Sequence, residues 1–577
     1  MDTTHILKIQ QELAQHTLAE PQIRHRRLYR LVCDEGWLRA GLEAVLANRG
    51  SSTPGIDNVT KRKLDAQENG REKLIQQLHQ ELLDNAYRPQ PVKRVYVPKA
   101  NGKMRPLGIA TLRDRTVQAT VKMILEPIYE SVFQPFSWGF RPLRSTHHAL
   151  SALRRGPHDH RTGFKWIIEG DISACFDEID HRLLRGFLKK RIQDEQLLNL
   201  ITRMLSCGIW EESQVTYPQR GTAQGSVASP LLANIFLHEF DEWYVRTYRV
   251  RPEWTRLTPS GLQYRRRKEI GGTLMLTRYA DDWVAIWNGS RERAGEIKAE
   301  IKTFLAEELK LRLSEEKTLI THIDDGIDFL GYRIVGGHRQ SDQHWCLFSR
   351  VPQKAIRRFR DAVKEITTVS FTDEVAAFTA LSGLIRGWGN YYAYAAESRL
   401  MDSLDAYIYQ EVWKYCRRKN ERAGAKTIYQ KYTLPRQLRE VGYLQIGIVG
   451  DEKVVRIPRL NHIPRKSLTL SYPAHPYLLN RADNVLPATG MTDELWWDRH
   501  LWIGQEGQRK GQTRLSNEVL ARDQICRICG TQSATQAHHD PPWRESQEHD
   551  PLRAIGVCVE CHRQTFERVV KSNGELR

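Results

Sequence analysis

The chain has 577 residues, 40% hydrophobic and 27% charged, a balance that suits several globular cores and excludes a disordered chain. Its net charge of +18 and pI of about 9.4 point to polyanionic partners, nucleic acid first, because basic groups displace the counterions condensed on phosphates. Five scattered cysteines among nine exclude a disulfide framework; with no apolar leader or membrane-length run, an intracellular site is expected, cytoplasmic of the bacterial type or an organellar matrix.

Residues 1 to about 50 are predicted helical, with Leu28, Leu31, Val32, Leu42, Val45 and Leu46 at helical spacings. Ser51-Ser52-Thr53-Pro54-Gly55 breaks the pattern. Leu74, Leu78, Leu82 and Leu83 mark a further amphipathic helix. Arg94-Val95-Tyr96-Val97-Pro98 alternates as a strand does, and Asn101-Gly102 is a hairpin turn. Strands and helices then mix as far as about residue 345. The basic run Arg265-Arg266-Arg267-Lys268 reads as a solvated loop face, with an RNA contact as the alternative. From about 350 to 445 the chain is mainly helical and basic, and 446–515, rich in Pro, Arg and polar residues, reads as a linker or small irregular module.

Two acidic segments carry the chemistry. Trp166-Ile167-Ile168-Glu169-Gly170-Asp171 is an apolar run ending on an acid, and Asp180 is placed to cap a following helix. About 110 residues later, Leu274-Met275-Leu276 leads to Tyr279-Ala280-Asp281-Asp282, and Trp283-Val284-Ala285-Ile286 leads away. That is a hairpin with carboxylates at its turn. Alone, such a turn is as well explained by solvation. In combination, Asp171, Asp281 and Asp282 on neighbouring strand ends could hold two Mg²⁺ about 3.5–4 Å apart, activating a primer 3′-OH and stabilising departing pyrophosphate. Between them, Gly221-Thr222-Ala223-Gln224-Gly225-Ser226 supplies small residues for close backbone approach, and Pro230 opens an apolar helix.

In these residues the chain resembles reverse transcriptases. Asp171 to Phe176 matches motif A, Gly221 to Pro230 motif B and Tyr279-Ala280-Asp281-Asp282 motif C, in the order and spacing of the palm. The resemblance implies that Phe176 is the steric gate against the ribose 2′-OH and that Gln224 and Gly225 contact the incoming dNTP. Ala223 and Ser226 depart from the usual Pro and Gly of motif B. Thr53-Pro54-Gly55-Ile56-Asp57, Lys103 to Ile109, Asp114-Arg115 and Gly139-Phe140-Arg141-Pro142 resemble the fingers of group II intron proteins. Arg105 is the candidate triphosphate clamp; Arg115 is equally a structural ion-pair partner. Glu316-Lys317-Thr318 and Phe329-Leu330-Gly331-Tyr332 match segments closing the palm, with Lys317 among the nucleotide contacts, and Gly387-Trp388-Gly389-Asn390-Tyr391-Tyr392 resembles the maturase thumb. Between Trp413 and Tyr432, Lys414, Arg417, Arg418, Lys419, Arg422, Lys426 and Lys431 interleave with Trp413, Tyr415, Tyr429 and Tyr432; the aromatics are expected mostly in the core and the cations facing RNA.

Cys526-Arg527-Ile528-Cys529 and Cys558-Val559-Glu560-Cys561 are two Cys-x-x-Cys knuckles with 28 residues between them, a tetrahedral zinc spacing that would staple a small domain. With His538, His539 and His562 the segment resembles the HNH, ββα-metal nucleases. By that resemblance His539 is the general base, and His538 and His562 hold a divalent ion. The alternative is a structural zinc ribbon. Arg553 stands where the family has its central Asn, and no Asn lies between Cys529 and Cys558, which puts cleavage in doubt.

The expected fold is therefore α+β: a helical extension (1–52), right-hand fingers and palm (53–345), a helical thumb or maturase domain (346–445), a linker or DNA-binding segment (446–515) and a zinc-bound HNH-like domain (516–577). The expected function is RNA-directed DNA synthesis with intron RNA binding, splicing assistance and action on target DNA during intron mobility. A non-mobile maturase and a host-domesticated or defence-associated reverse transcriptase are the alternatives.

Overall fold

The computed structural model describes residues 3–98, 102, 104–155, 164–222, 225–249, 261, 264–339, 343, 345–368, 373–395, 397–439, 445–450, 454–466 and 475–478, with the strand backbones of 536–539 and 554–557. The chain opens with helices α1 (Thr3–Ala19), α2 (Tyr29–Cys33) and α3 (Glu35–Leu46); Asp34 starts α3 by accepting hydrogen bonds from the amides of Gly36 and Trp37. After α4 (Lys61–Asp65) comes α5 (Gly70–Leu83), where Leu78 and Leu82 are fully buried. Leu83, read as part of that stripe, is exposed instead, because one further residue turns about 100° off the apolar face.

Strands β1 (Val92–Pro98) and β2 (Met104–Ile109) form the expected hairpin around Gly102, and α6 (Leu112–Glu130) runs buried along nearly its whole length. Arg115 on α6 is structural, but among the described residues it forms no ion pair. Its guanidinium donates to the carbonyls of Ala110, Gly50 and Thr53 at 2.7–2.8 Å, which ties the Thr53-Pro54-Gly55 loop to this helix.

After α7 (Thr146–Arg155), strand β3 (Trp166–Asp171) precedes α8 (Cys175–Glu178), α9 (His181–Lys189) and α10 (Glu195–Leu205). Strands β4 (Ile209–Glu211) and β5 (Gln214–Thr216) extend the first hairpin into a sheet of order β2-β1-β4-β5. Helix α11 (Ser229–Tyr244), with Pro230 in its first turn as expected, leads to strands β6 (Leu274–Tyr279) and β7 (Asp282–Trp287). Within the basic run before β6, Arg265, Arg267 and Lys268 are exposed, as read, and Arg265 pairs with Glu269; Arg266 alone is buried and donates to the Arg249 carbonyl. Helix α12 (Arg291–Glu307) and strand β8 (Ile320–His322) complete the palm sheet, order β6-β7-β3-β8, antiparallel throughout.

This sheet is buried on both faces, which is why its strands read as almost unbroken apolar runs. Ile168, Trp283, Ala285 and Trp287 pack into a core shared with the helices from α1 to α12 other than α7. Ile167, Val284 and Ile286 alternate to the other face and pack with β9 (Ile327–Phe329), β10 (Tyr332–His338), β11 (Trp345–Arg350) and the thumb. The thumb is α13 (Gln353–Thr368), α14 (Glu374–Tyr392), α15 (Ser398–Lys419) and α16 (Ala425–Tyr432).

The stretch from 446, read as a linker or small irregular module, begins packed on the thumb. Strands β12 (Gly447–Val449) and β13 (Val454–Arg456) pair, and Ile448, Val455, Ile457 and Leu460 enter the thumb core. Ile463 lies so close to Gly389 that a Cβ there would meet it at 2.1 Å. The apolar spacing in these short strands is too brief to stand out among the polar residues around it. No helix of the described residues is long and apolar enough to cross a membrane.

One contact sets the β3–β7 register. Gly170 lies opposite Trp283, and a Cβ on Gly170 would come within 2.0 Å of the fully buried indole. Gly170→Ala is therefore expected to destabilise the protein by about 1–3 kcal/mol through overpacking, measured as a shift of the denaturation midpoint. A neutral midpoint would show that the ring has room to move.

Candidate active site

The sheet brings the three predicted acids to one end. Asp171 closes β3 and pairs across the ladder with Asp282, the first residue of β7. Ala280 and Asp281 form the two-residue turn from β6, with Ala280 in the left-handed region at φ 57°. Lys317 Nζ is 2.8 Å from Asp171 Oδ2. As placed, no three acidic, His or Cys side chains among the described residues form a ligand cluster.

The electrostatics are those of an anionic site under strain. Burial first, and the neighbouring Asp171 next, raise the Asp281 carboxyl above the usual range, against the opposing charges of Arg278 and Arg105. Asp282 keeps exposed surface, yet the surrounding protein and the charges of Asp281 and Asp171 push its carboxyl up to about 6, opposed by Lys317. Three hard oxygen donors in mutual repulsion fit Mg²⁺, which prefers a few carboxylates together with substrate phosphates.

Motif B packs directly on motif A. The amides of Thr222 and Gly221 donate to the carbonyls of Phe176 and Ile179, at 2.7 and 2.8 Å. Asp180 caps α9 as expected, accepting from the amides of Arg182 and Leu183, and takes an ion pair from Lys310. Gly225, at φ 108°, approaches the fingers: a Cβ there would meet the Gly108 carbonyl at 2.9 Å. Its smallness thus serves contact with β2. The Phe176 ring stands edge-on to exposed Phe140, with centroids 6.1 Å apart. Arg105 is exposed on β2, and its charge reaches Asp281. Ala223 and Gln224 lie outside the described residues.

Gly139, in the segment that resembles the fingers, packs against the Ala280–Asp281 turn, where a Cβ would meet the Ala280 nitrogen at 2.4 Å. The chain at 136–138 runs beside β6, with Trp138 N donating to Arg278 O and Arg278 N to Phe136 O. Sequence reasoning also missed Arg278, Asp241 and Asn234. The Arg278–Asp241 ion pair is wholly buried, and Arg278 donates to the Ala280 carbonyl at 2.9 Å and to Asn234 Oδ1 at 3.2 Å. The signal was present: a cation inside an apolar strand and an acid inside an apolar helix each need a buried partner.

The thumb presents cations outward. Lys414, Arg417, Arg418, Lys419, Arg422, Lys426 and Lys431 are exposed, while Tyr415 and Tyr432 are buried, as expected of core aromatics; Tyr429 is exposed. Lys414 pairs with Glu411 and Lys431 with Glu374. Helix α13 adds exposed Lys354, Arg357, Arg358, Arg360 and Lys364 opposite its buried Ile356, Phe359 and Val363.

At the C-terminus, β14 (Gln536–His539) pairs antiparallel with β15 (Ala554–Val557), His538 opposite Ile555 and His539 opposite Ala554. Cys526, Cys529, Cys558, Cys561, His562 and Arg553 lie outside the described residues.

Residues 97–334 match the reverse transcriptase (RNA-dependent DNA polymerase) family, and residues 356–433 the maturase-specific domain of group II introns. The chain is 38% identical over 363 residues to protein YkfC of Escherichia coli K12, covering 61% of this chain and 94% of that protein. This chain belongs to the group II intron reverse transcriptase–maturase family. The group II intron-encoded protein LtrA of Lactococcus lactis is 38% identical over 347 residues, 53% of this chain and 56% of LtrA. A 91 kDa protein in a cob intron of Schizosaccharomyces pombe is 31% identical over 401 residues, 60% of this chain and 48% of that protein. The chain thus spans about half the length of these last two relatives. The polymerase match contains Asp171, Asp281 and Asp282, and the chain is an RNA-directed DNA polymerase.

The Asp282 shift has a sign that can be checked. An unfolded Asp loses its proton near pH ~3.9. The folded carboxyl holds its proton to about pH 6. Between these values the folded state binds more protons, so stability from this group falls as pH rises and stays lost above pH 6. In metal-free buffer Asp282→Asn is expected to melt above wild type at neutral pH, with the difference shrinking toward pH 4. A variant less stable at neutral pH would contradict the repulsion.

Proposed function

We propose that this chain is a multifunctional intron-encoded protein. It binds group II intron RNA, assists its splicing and copies it into DNA at a target site, inside a bacterial cell or an organellar matrix. The observation that carries the reading is one chain holding three carboxylates on a palm sheet beside a maturase domain whose cations face outward.

In this reading Arg105 receives the triphosphate, Gln224 and Gly225 contact the nucleotide, and Phe176 lies against its ribose. Lys317, two-thirds exposed, can pass from Asp171 to the nucleotide's phosphates. Mg²⁺ held by Asp171, Asp281 and Asp282 would stabilise charge on the attacking and leaving oxygens. The exposed cations of α13, α15 and α16 bind RNA phosphates, with sequence and shape read elsewhere.

The C-terminal knuckles form a zinc module that engages target DNA. Its support is the spacing of the four cysteines and the β14–β15 pair, which lies between the knuckles and ends directly before Cys558. In the HNH-like reading His539 would be the general base, with His538 and His562 holding a divalent ion. Arg553 in place of Asn argues for weak cleavage or none.

Primer extension on an RNA template tests the polymerase: Asp281→Asn is expected to abolish it. The same folded variant is expected to promote intron splicing in moderate salt, since RNA binding uses cations and not the acids. Loss of both activities together would refute that division. Intron affinity is expected to fall steeply with salt, with roughly one counterion released for each phosphate neutralised.

A chelator is expected to release zinc and loosen the C-terminal module while primer extension continues. Strong nicking of target DNA by wild type, lost in His539→Ala, would show instead an active nuclease.

A further inference from the structure

Asp281 depends for its position on a turn whose own backbone is held from behind. Ala280 adopts a left-handed conformation that a non-glycine residue enters at a cost, so neighbouring groups must hold it there. The Arg278 side chain returns beneath the turn and donates through Nη1 to the Ala280 carbonyl at 2.9 Å and to Asn234 Oδ1 at 3.2 Å. Nη2 donates to Ser137 Oγ at 2.8 Å and to Asp241 Oδ2, and Nε donates to Asp241 Oδ1 at 2.8 Å. All five guanidinium donors are used, and neither Arg278 nor Asp241 has any exposed side-chain surface.

Asn234 joins the other half of the cradle. Its Nδ2 donates to the Gly139 carbonyl at 2.8 Å, and Gly139 has no room for a Cβ against the Ala280 nitrogen. One guanidinium therefore pins three separate pieces of chain: helix α11 through Asn234 and Asp241, the 137–139 segment through Ser137, and the turn itself. Lysine has three donors and no planar fork, so it would leave at least two of these buried acceptors unpaired.

We propose that Arg278, oriented by Asp241 and Asn234, is the positioning residue that fixes the Ala280–Asp281 turn and so determines where Asp281 offers its carboxylate to metal and nucleotide. Its charge also lies on the protein side of the carboxylates, where it offsets part of their repulsion without occupying the face that receives substrate. A buried ion pair used only for stability has no reason to spend a donor on the carbonyl one residue before the catalytic acid.

The test compares wild type, Arg278→Lys and Asn234→Ala as full-length proteins, with folding checked by circular dichroism and thermal melting. Arg278→Lys is expected to slow single-turnover extension about 10- to 100-fold and to raise the Mg²⁺ midpoint, with partial recovery in Mn²⁺. The KM for nucleotide and the affinity for template–primer are expected to stay near wild type. Direct Mn²⁺ binding, read from the free-ion electron paramagnetic resonance signal with Asp281→Asn as the reference, is expected to weaken in parallel. Asn234→Ala, which spares the ion pair, is expected to show a smaller loss of the same kind; it carries the comparison alone if Arg278→Lys does not fold. Folded variants with wild-type rates would overturn the proposal. So would slowed extension with unchanged Mg²⁺ midpoint and Mn²⁺ binding, since a merely structural role predicts that pattern.

Discussion

Three carboxylates at one end of one sheet repel each other, and much of the surrounding structure keeps them from moving apart. The β3–β7 ladder places Asp171 opposite Asp282, and the Trp283 ring over Gly170 prevents slippage. The sheet cannot buckle to relieve the repulsion, because apolar cores lie against both of its faces. The repulsion appears as raised carboxyl affinity for protons, and in the proposed function divalent metal would relieve it.

The thumb is joined to this rigid unit by hydrogen bonds between two short motifs. Tyr391 and Tyr392 donate to the carbonyls of Leu330 and Gly331, at the turn between β9 and β10. His147 on α7 and the Tyr332 hydroxyl both bond the Tyr391 carbonyl, and His147 stacks on Tyr394 with centroids 4.1 Å apart. Trp388 stacks on Phe359 of α13, and Gly389 admits Ile463. The Gly387-Trp388-Gly389-Asn390-Tyr391-Tyr392 stretch is thus a hinge plate. It fixes the thumb's root to the palm, and the cationic faces of α13 and α15 are exposed. Polymerisation and RNA binding can share a scaffold because the acids and cations occupy different surfaces.

What could be read from the sequence was what local patterns determine. An apolar run ending on Asp171, a hairpin around Ala280-Asp281, a cap at Asp180 and a proline opening α11 each depend on a few adjacent residues, and each is found as read. What could not be read depends on distant partners. A structural ion pair was one of two equal readings of Arg115, but its acceptors are carbonyls from 62 residues or more upstream as well as Ala110. Gly139 was grouped with the fingers by resemblance, and its packing against Ala280, 141 residues away, could not be read from that. Arg278 lay one residue before a recognised motif and was passed over, although a lone cation in an apolar strand demands a partner. The nuclease-like reading of the C-terminus rests on cysteine and histidine spacing together with one paired hairpin.

Asp171, Asp281 and Asp282 are proposed to form a single metal-dependent polymerase centre. Anomalous scattering from crystals of the protein with an RNA template, a DNA primer and an incoming nucleotide in Mn²⁺ would show it. Anomalous peaks ligated by Asp171 and Asp281 and bridged to the nucleotide's phosphates are expected. Nucleotide bound with its triphosphate away from these carboxylates, and no peak against them, would contradict it.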